Sequence, residues 1–270
     1  MDLNLILVCV VIVVALFFSY TNGFHDAANA IATSVSTRAW TPRAALLMAA
    51  TMNVIGAMMG TAVAKTVGKG IISISDYAES PLPEMQQKGL VIILAALLGA
   101  CIWNLITWWF GLPSSSSHAL IGGMVGAGLL SGTMVHWWGI MSHVVIPMFA
   151  SPIVGFVIGY FVMKLVLWLL RNAQYHRTMR RFRAAQRFSS AAMALGHGIQ
   201  DAQKTMGIIV MALLAGGYGE THNILDPITG EMNVPLWVKI SGALAISLGT
   251  MAGGGRIMRT IGRKIIDLDP

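Results

Sequence analysis

The sequence predicts an all-α membrane protein that crosses the bilayer several times. Of its 270 residues, 56% are hydrophobic and only 11% are charged, whereas a soluble domain typically carries about 25% charged residues. The mean hydropathy is +0.69. Apolar runs of about 20 residues recur along the chain, and each can cross the hydrocarbon core of a bilayer as a helix. These observations place the chain in the polytopic membrane class.

A series of apolar segments predicts the individual helices. The first lacks the basic region and the small-residue cleavage site of a signal peptide, so we interpret it as a membrane helix. The fourth is short and follows a serine run, and the sixth is interrupted by a polar cluster. The segments cover residues 3–20, 44–64, 90–110, 119–130, 143–170, 191–215 and 236–251.

The charges between these segments predict their orientation. Residues 171–187 contain six arginines and no acidic residue, residues 216–235 contain three acidic residues and no lysine or arginine, and residues 256–264 are basic again. Cytoplasmic loops are enriched in Lys and Arg. We therefore expect the basic linker 171–188 and the C-terminal tail in the cytoplasm. The net charge of +7 is then a topology signal, and no nucleic-acid partner is expected.

The chain contains an internal repeat. Residues 65–72 match residues 259–266, and residues 23–28 match residues 198–203 in the same order. We therefore expect a first transmembrane repeat over residues 1–170 and an incomplete second repeat over residues 189–270, joined by the basic linker. Paired repeats with polar breaks in corresponding places are typical of secondary transporters.

Asp26 follows the first apolar segment. A carboxylate at membrane depth costs about 2.5 to 3.5 kcal/mol on insertion scales, so it persists where it is paired, hydrated or functional. Asn29 shares a helical face with Asp26, and the two side chains suit a proton relay or a hard cation. The alternative is that Asp26 marks a helix end in the headgroup region.

Asp201 repeats Asp26 inside an apolar stretch, and Lys204 stands where the first copy has Asn29. One interpretation is a structural ion pair between the two charges. The other is that Lys204 faces an anionic substrate while Asp201 carries a coupling proton. His197 adds a group that titrates near neutral pH, although it could also be a hydrogen-bonded core residue.

The serine run Pro113-Ser114-Ser115-Ser116-Ser117-His118 lies between two apolar segments. Serine caps helix starts, and the free N–H groups there attract anions. The hydroxyls could replace the hydration shell of a tetrahedral oxyanion, or they could bond back to carbonyls in a simple kink. Together with the paired Asp motifs, the run predicts the tip of a re-entrant hairpin that lines a cavity.

These motifs resemble those of the inorganic phosphate transporter (PiT) family, in its bacterial low-affinity form. That family carries a G-x-N-D-x-x-N motif near the start of each repeat and a P-x-S-[ST]-[ST]-H motif later in each repeat. Here the first motif reads GFHDAAN at residues 23–29 and GIQDAQK at residues 198–204, and the serine motif is PSSSSH at residues 113–118.

The resemblance implies inverted repeats, broken helices and phosphate bound near the bilayer midplane at the repeat interface. It assigns coupling-ion or proton roles to Asp26, Asp201 and His197. The expected substrate-binding residues, including Lys204 from the argument above, are Asn29, Ser115, Ser116, Ser117 and Lys204.

The departures from the family motif bear on the coupling ion. Some members are sodium-coupled, whereas bacterial members often couple to protons and can carry phosphate as a neutral metal complex. His25 and Gln200 replace the motif asparagines, Lys204 replaces the last asparagine of the second motif, and Asn53 stands where sodium-coupled members have a glutamate. The last two remove ligands or charge for sodium, which favours protons.

The predicted function is therefore uptake of inorganic phosphate by proton symport in a bacterial inner membrane. A sodium-coupled symporter, an anion channel and a non-transporting fragment stay open as alternatives. The second serine motif would fall beyond Pro270, so the resemblance implies a C-terminally truncated member. A membrane enzyme is least favoured, because no Ser-His-Asp spacing, Walker loop or metal-ligand set is present.

The expected partners are phosphate and the lipid bilayer, and a homodimer is left open. No cofactor is expected beyond the coupling proton or sodium and a divalent metal carried with phosphate.

Overall fold

The computed structural model describes residues 3–61, 77, 80, 82–219, 221–222, 224, 233–253 and 257–258. This part of the chain is helical and contains no β-strand, so the all-α prediction is confirmed. Three helices, α1, α3 and α5, have the length and composition to cross a membrane. The helices are α1 Leu3–Ser36, α2 Pro42–Met58, α3 Pro83–Phe110, α4 Ser116–Ser131, α5 Trp137–Leu169, α6 Tyr175–Ala215 and α7 Leu236–Gly253.

Local sequence signals set several of these helix ends. The Thr41 side chain accepts a hydrogen bond from the Ala44 N–H at the start of α2, with Pro42 in the first turn. Ser115 caps α4 by accepting from the His118 N–H at 3.3 Å. Gly111, with φ of 66°, ends α3 in the left-handed conformation that favours glycine. The serine run therefore starts a new helix directly after the preceding one stops.

Two helices extend well beyond the predicted segments. α1 continues past residue 20 to Ser36, and α6 starts at Tyr175 rather than near residue 191. Both run unbroken through their Asp motifs, so the alternative interpretation, in which Asp26 marks a helix end, is wrong. The motif side chains find partners on neighbouring helices, and the backbone stays helical. Within the predicted basic linker, residues 175–188 are helical and form the first part of α6.

The serine segment forms the tip of a re-entrant hairpin, as predicted. α1 and α3 run parallel: Asn4 donates to Gln86 at 3.0 Å near their starts, and His25 lies 2.9 Å from Thr107 further along. α4 then turns back along α3. The tip at residues 111–115 therefore lies beside His25, about 15 Å of helix before α1 ends at Ser36.

The helices of the two repeats cross each other at glycines. A side chain at Gly23 in α1 would collide with the carbonyl oxygen of Ile246 in α7, and one at Gly198 in α6 would collide with that of Asn53 in α2. Gly198 stands 175 residues after Gly23, and Ile246 stands 193 residues after Asn53. Each repeat thus lays its first helix across the second helix of the other repeat.

A second pair of contacts repeats this relation. Gly56 in α2 packs on the carbonyl of Leu195 in α6, and Gly249 in α7 packs on the carbonyl of Tyr20 in α1. The same offsets of 175 and 193 residues relate these positions. Such reciprocal contacts are expected when a two-fold axis relates the two repeats. The other sequence match, between residues 65–72 and 259–266, lies outside the described residues.

Charge is divided between the two ends of the bundle. Arg187 of α6 donates to the Ala39 carbonyl at 2.6 Å and lies over the Trp40 ring, which brings the arginines of α6 to the same end as Arg38 and Arg43. At the other end, Glu84 lies in the first turn of α3, and Gly216, directly after α6, lies against the Val8 side chain of α1.

α5 stands apart from this bundle. It contains a π-helical turn at Met141–Val145 and has no buried residue. Its surface is largely apolar, and its length and composition allow it to cross a membrane. Such a surface is stable only against lipid or another apolar surface.

Candidate functional site

Both Asp motifs and the serine tip meet around one open cavity of about 470 Å³. Because α1 and α6 are continuous and the hairpin ends level with Asp26, polar side chains from three separate stretches converge at this depth. The lining residues are Asp26, Asn29, Ala30, Pro113, Ser114, Ser115, Ser117, Met193, His197, Gln200, Asp201 and Lys204.

The structure brings together all but one of the predicted site residues. Ser116 is the exception: its side chain is fully buried, does not line the cavity, and its hydroxyl has no hydrogen-bond partner. Instead its backbone N–H points to Asp26 Oδ2 at 3.4 Å. The first turn of α4 thus presents an amide to this carboxylate, and the neighbouring hydroxyls of Ser115 and Ser117 face the cavity.

On the side of the cavity that α6 forms, Asp201 lies between two other polar side chains. His197 Nε2 is 3.1 Å from Asp201 Oδ2, and the Lys204 ammonium contacts the other carboxylate oxygen. The Lys204 ammonium also donates to the Ser117 hydroxyl. Lys204 therefore links the carboxylate of one repeat to the serine tip of the other.

A chain of hydrogen bonds determines which imidazole nitrogen of His197 carries a hydrogen. The Thr250 hydroxyl donates to the Ile246 carbonyl at 2.9 Å, so it accepts from Asn53 Nδ2 at 2.8 Å. With the Asn53 amide in this orientation, its Oδ1 faces His197 Nδ1 at 3.0 Å, which favours the tautomer with a hydrogen on Nδ1.

A hydrogen on His197 Nδ1 affects the contact between His197 and Asp201. With one hydrogen already on Nδ1, the Nε2 atom of a neutral ring is a bare acceptor facing a carboxylate oxygen. A hydrogen bond at this contact therefore requires one further proton, carried either by the imidazole or by the carboxylate. The contact between these two side chains thus has room for one further proton, and without it His197 Nε2 has no hydrogen-bond partner.

The Asp26 side has a different character. His25 is fully buried, with Nε2 directed at the Thr107 hydroxyl, and its Nδ1 lies 3.5 Å from Asp26 Oδ1 without forming a hydrogen bond. Ser114 extends this network through a 3.2 Å bond to Thr107. From the sequence, His25 was recognised only as a departure from the family motif, and Thr107 was not recognised as a site residue.

Cation ligands are also present. The carboxylates of Asp26 and Asp201 and the imidazole of His197 place one ligand atom each within 4.8 Å of one another. Oxygen and imidazole nitrogen donors suit a divalent transition metal. A metal would compete with Lys204 for Asp201. The sequence alone predicted no metal ligands, because these residues come from helices far apart in the chain.

The cavity is close to neutral only when it holds an extra proton. Two carboxylates face one ammonium, so the group carries a net negative charge with His197 neutral and none with His197 protonated. An anion that binds at Lys204 therefore adds negative charge to a site that cannot balance it alone. Binding of an anion here favours the simultaneous uptake of a proton or a cation.

A polytopic helical protein with a charged cavity between two interlocked repeats and a re-entrant hairpin belongs to the class of membrane transport proteins. Within that class, residues 22–270 match the phosphate transporter family, and the chain belongs to this family. The predicted resemblance is confirmed. The prediction that the chain is not an enzyme is also confirmed, because the family is one of transporters.

Curated relatives carry the name "Probable low-affinity inorganic phosphate transporter". The Streptomyces halstedii relative is 57% identical over 198 residues, which is 73% of this chain and 89% of the relative. The Bacillus subtilis relative is 41% identical over 272 residues, covering 100% of this chain and 76% of the relative. The Mycobacterium leprae relative is 40% identical over the whole chain, which spans 61% of that protein's length.

A solved structure with the same fold is titled "The sodium-dependent phosphate transporter". It superposes with a TM-score of 0.79 at 23% identity, covering 97% of this chain and 79% of that one. At this identity the match establishes the fold of the chain. It does not transfer the coupling ion.

Proposed function

We propose that this chain takes up inorganic phosphate by symport with protons. The single observation that carries the proposal is the 3.1 Å contact between His197 Nε2 and Asp201 Oδ2, beside the ammonium of Lys204. The relatives named above are phosphate transporters by name, and the cavity supplies donors of the kind that phosphate requires.

Phosphate would bind between Lys204 and the serine tip. Lys204 supplies a positive charge, and the hydroxyls of Ser115 and Ser117 with the amide of Asn29 supply hydrogen-bond donors along the cavity wall. In the described state Lys204 already holds Asp201. An incoming phosphate would compete with that carboxylate for the ammonium.

This competition would couple phosphate to the proton. When Lys204 turns to phosphate, Asp201 loses its cationic partner, and protonation of the His197–Asp201 pair becomes more favourable. Phosphate and the proton would therefore bind cooperatively, which is the condition for symport. The same linkage releases both ligands together on the other side.

The proposed orientation follows from the division of charge between the two ends. The end with Arg38, Arg43 and the arginines of α6 would face the cytoplasm of a bacterial inner membrane. The acidic loop after α6 would face outward. Cysteine accessibility at residue 38 from each side of sealed vesicles tests this orientation.

A second candidate is uptake of phosphate as a complex with a divalent metal. It is favoured by the convergence of Asp26, His197 and Asp201. A neutral complex would bring its own positive charge to the negative cavity. Phosphate uptake that requires Mg²⁺ or Mn²⁺, with metal entering alongside, distinguishes this candidate from symport of phosphate with protons alone.

The test is radiolabelled phosphate uptake by the purified chain in proteoliposomes. We expect accumulation against a gradient when the interior is made alkaline, loss of accumulation when a proton ionophore is added, and loss in Asp201→Asn. The Bacillus subtilis relative serves as the comparison protein. Uptake driven by a sodium gradient at constant pH would overturn the proton assignment, and flux that never exceeds equilibrium would identify a channel.

A further inference from the structure

A second cavity, of about 500 Å³, lies where α5 meets α6. It is remote in sequence from the Asp motifs and the serine tip and shares no lining residue with the first cavity. Its volume falls in the range of small-molecule sites. Nothing in the proposed transport mechanism uses it.

Two apolar helix faces form its walls. Val166 on α5 and Leu170, which directly follows this helix, lie one turn apart, and Met179 and Phe182 lie one turn apart on α6. These four side chains are half-buried in a region where almost every other residue is exposed. α5 has no buried residue and an apolar composition, so the walls of the cavity continue into an exposed apolar helix surface.

A positive charge lies in the turn between α5 and α6, at one end of this cavity. Arg171 is among its lining residues, and no acidic residue occurs between residues 171 and 200. Arg187 is engaged with Ala39 and Trp40, whereas Arg171 is exposed. The cavity thus joins an apolar slot to a guanidinium, which is complementary to an amphiphile with an anionic head.

We propose that this cavity binds an anionic phospholipid. Its acyl chain lies between the apolar faces of α5 and α6, and its phosphodiester pairs with Arg171 in a charge-assisted contact. Free phosphate would leave the apolar walls unused. The leaflet, but not the binding itself, rests on the cytoplasmic orientation proposed above.

Lipid binding by the purified full chain in detergent, followed by native mass spectrometry, tests this proposal. Phosphatidylglycerol and phosphatidylcholine are titrated against the wild type, Arg171→Gln and Arg177→Gln. Arg177 is an exposed arginine of the same segment that does not line the cavity, so its variant is a matched charge control. We expect Arg171→Gln to weaken phosphatidylglycerol binding about fivefold, with little change for Arg177→Gln or for phosphatidylcholine.

A second pair of variants tests the apolar walls with Arg171 in place. Met179→Trp fills the slot and should also weaken phosphatidylglycerol binding severalfold, whereas Leu165→Trp, outside the lining, should not. Thermal unfolding identifies any variant that has lost its fold.

Equal losses in Arg171→Gln and Arg177→Gln would overturn the proposal in favour of diffuse surface attraction. Displacement of the lipid by inorganic phosphate would overturn it in favour of a free-anion site. Since lipid binding is measured without transport, this result and that of the uptake assay are independent.

Discussion

The two copies of the Asp motif occupy equivalent places in the repeats but have different surroundings. Asp26 faces a backbone N–H and a buried imidazole, whereas Asp201 lies between an imidazole and an ammonium. Each copy contains one histidine, at different positions: His25 is equivalent to Gln200, and His197 is equivalent to Asn22 by the 175-residue offset. The duplicated scaffold thus supports one hydrogen-bonded copy and one charged copy.

From this difference we infer that the two copies have different roles. The first copy anchors the re-entrant hairpin, because Asp26 and His25 both contact residues of its tip or of the helix leading to it. In the proposed mechanism, the second copy binds the proton, and its Lys204 ammonium moves from Asp201 to phosphate. Substitutions at equivalent positions should therefore have unequal effects on uptake.

The largest expected effect is that of Asp201→Asn. The change leaves Lys204 without its carboxylate partner in a largely buried position, and breaking a buried pair in this way costs roughly 3 to 5 kcal/mol. We expect phosphate uptake to fall about 100-fold or more. The equivalent change Asp26→Asn removes one negative charge from the cavity but leaves a side-chain oxygen that can accept from the Ser116 N–H, and it should reduce uptake about tenfold. Uptake rates in proteoliposomes measure the effects of both variants, and an equal loss in the two would contradict the inference that the two copies have different roles.

The next effect concerns the scaffold that the two copies share. Gly198→Ala forces a methyl group onto the Asn53 carbonyl, and such overpacking typically costs about 1 to 3 kcal/mol. We expect a lower thermal unfolding temperature, and a similar decrease for Gly23→Ala at the equivalent crossing. Gly196→Ala is the matched control, because an added Cβ there meets nothing within 4 Å. A destabilisation of Gly196→Ala equal to that of Gly198→Ala would refute the steric explanation.

A smaller effect distinguishes the two histidines. His197→Gln removes the proton site beside Asp201, so uptake should fall about tenfold and should lose its dependence on external pH between about pH 5 and 8. His25→Gln should lower the rate through loss of the Thr107 contact but keep the pH dependence. Uptake against pH under a fixed gradient measures the difference. A flat profile for His25→Gln alone would exchange the roles of the two copies.

The sequence predicted the helices of the bundle because apolar length is a strong local signal. It missed that α1 and α6 continue through their polar motifs, since local composition does not reveal that Asn53 and Thr107 on other helices supply hydrogen-bond partners there. Of the site residues it predicted, all but Ser116 line one cavity. The proposed proton site depends on contacts across the repeats, such as Asn53 with His197, and no spacing along the chain encodes them.

The smallest expected effect tests that last contact. Asn53→Ala removes the acceptor that keeps a hydrogen on His197 Nδ1, so the neutral ring can place its hydrogen on Nε2 and bond Asp201 without an extra proton. We expect uptake to fall only a few-fold, with a weaker dependence on pH, because the charges of the site remain. Thr51→Ala is the control on the same helix, since Thr51 is exposed and bonds only to the Leu47 carbonyl in its own turn. If Asn53→Ala lowers the rate but leaves the pH profile of the wild type, Asn53 packs at the crossing without orienting the imidazole, and the proton site depends on His197 and Asp201 alone.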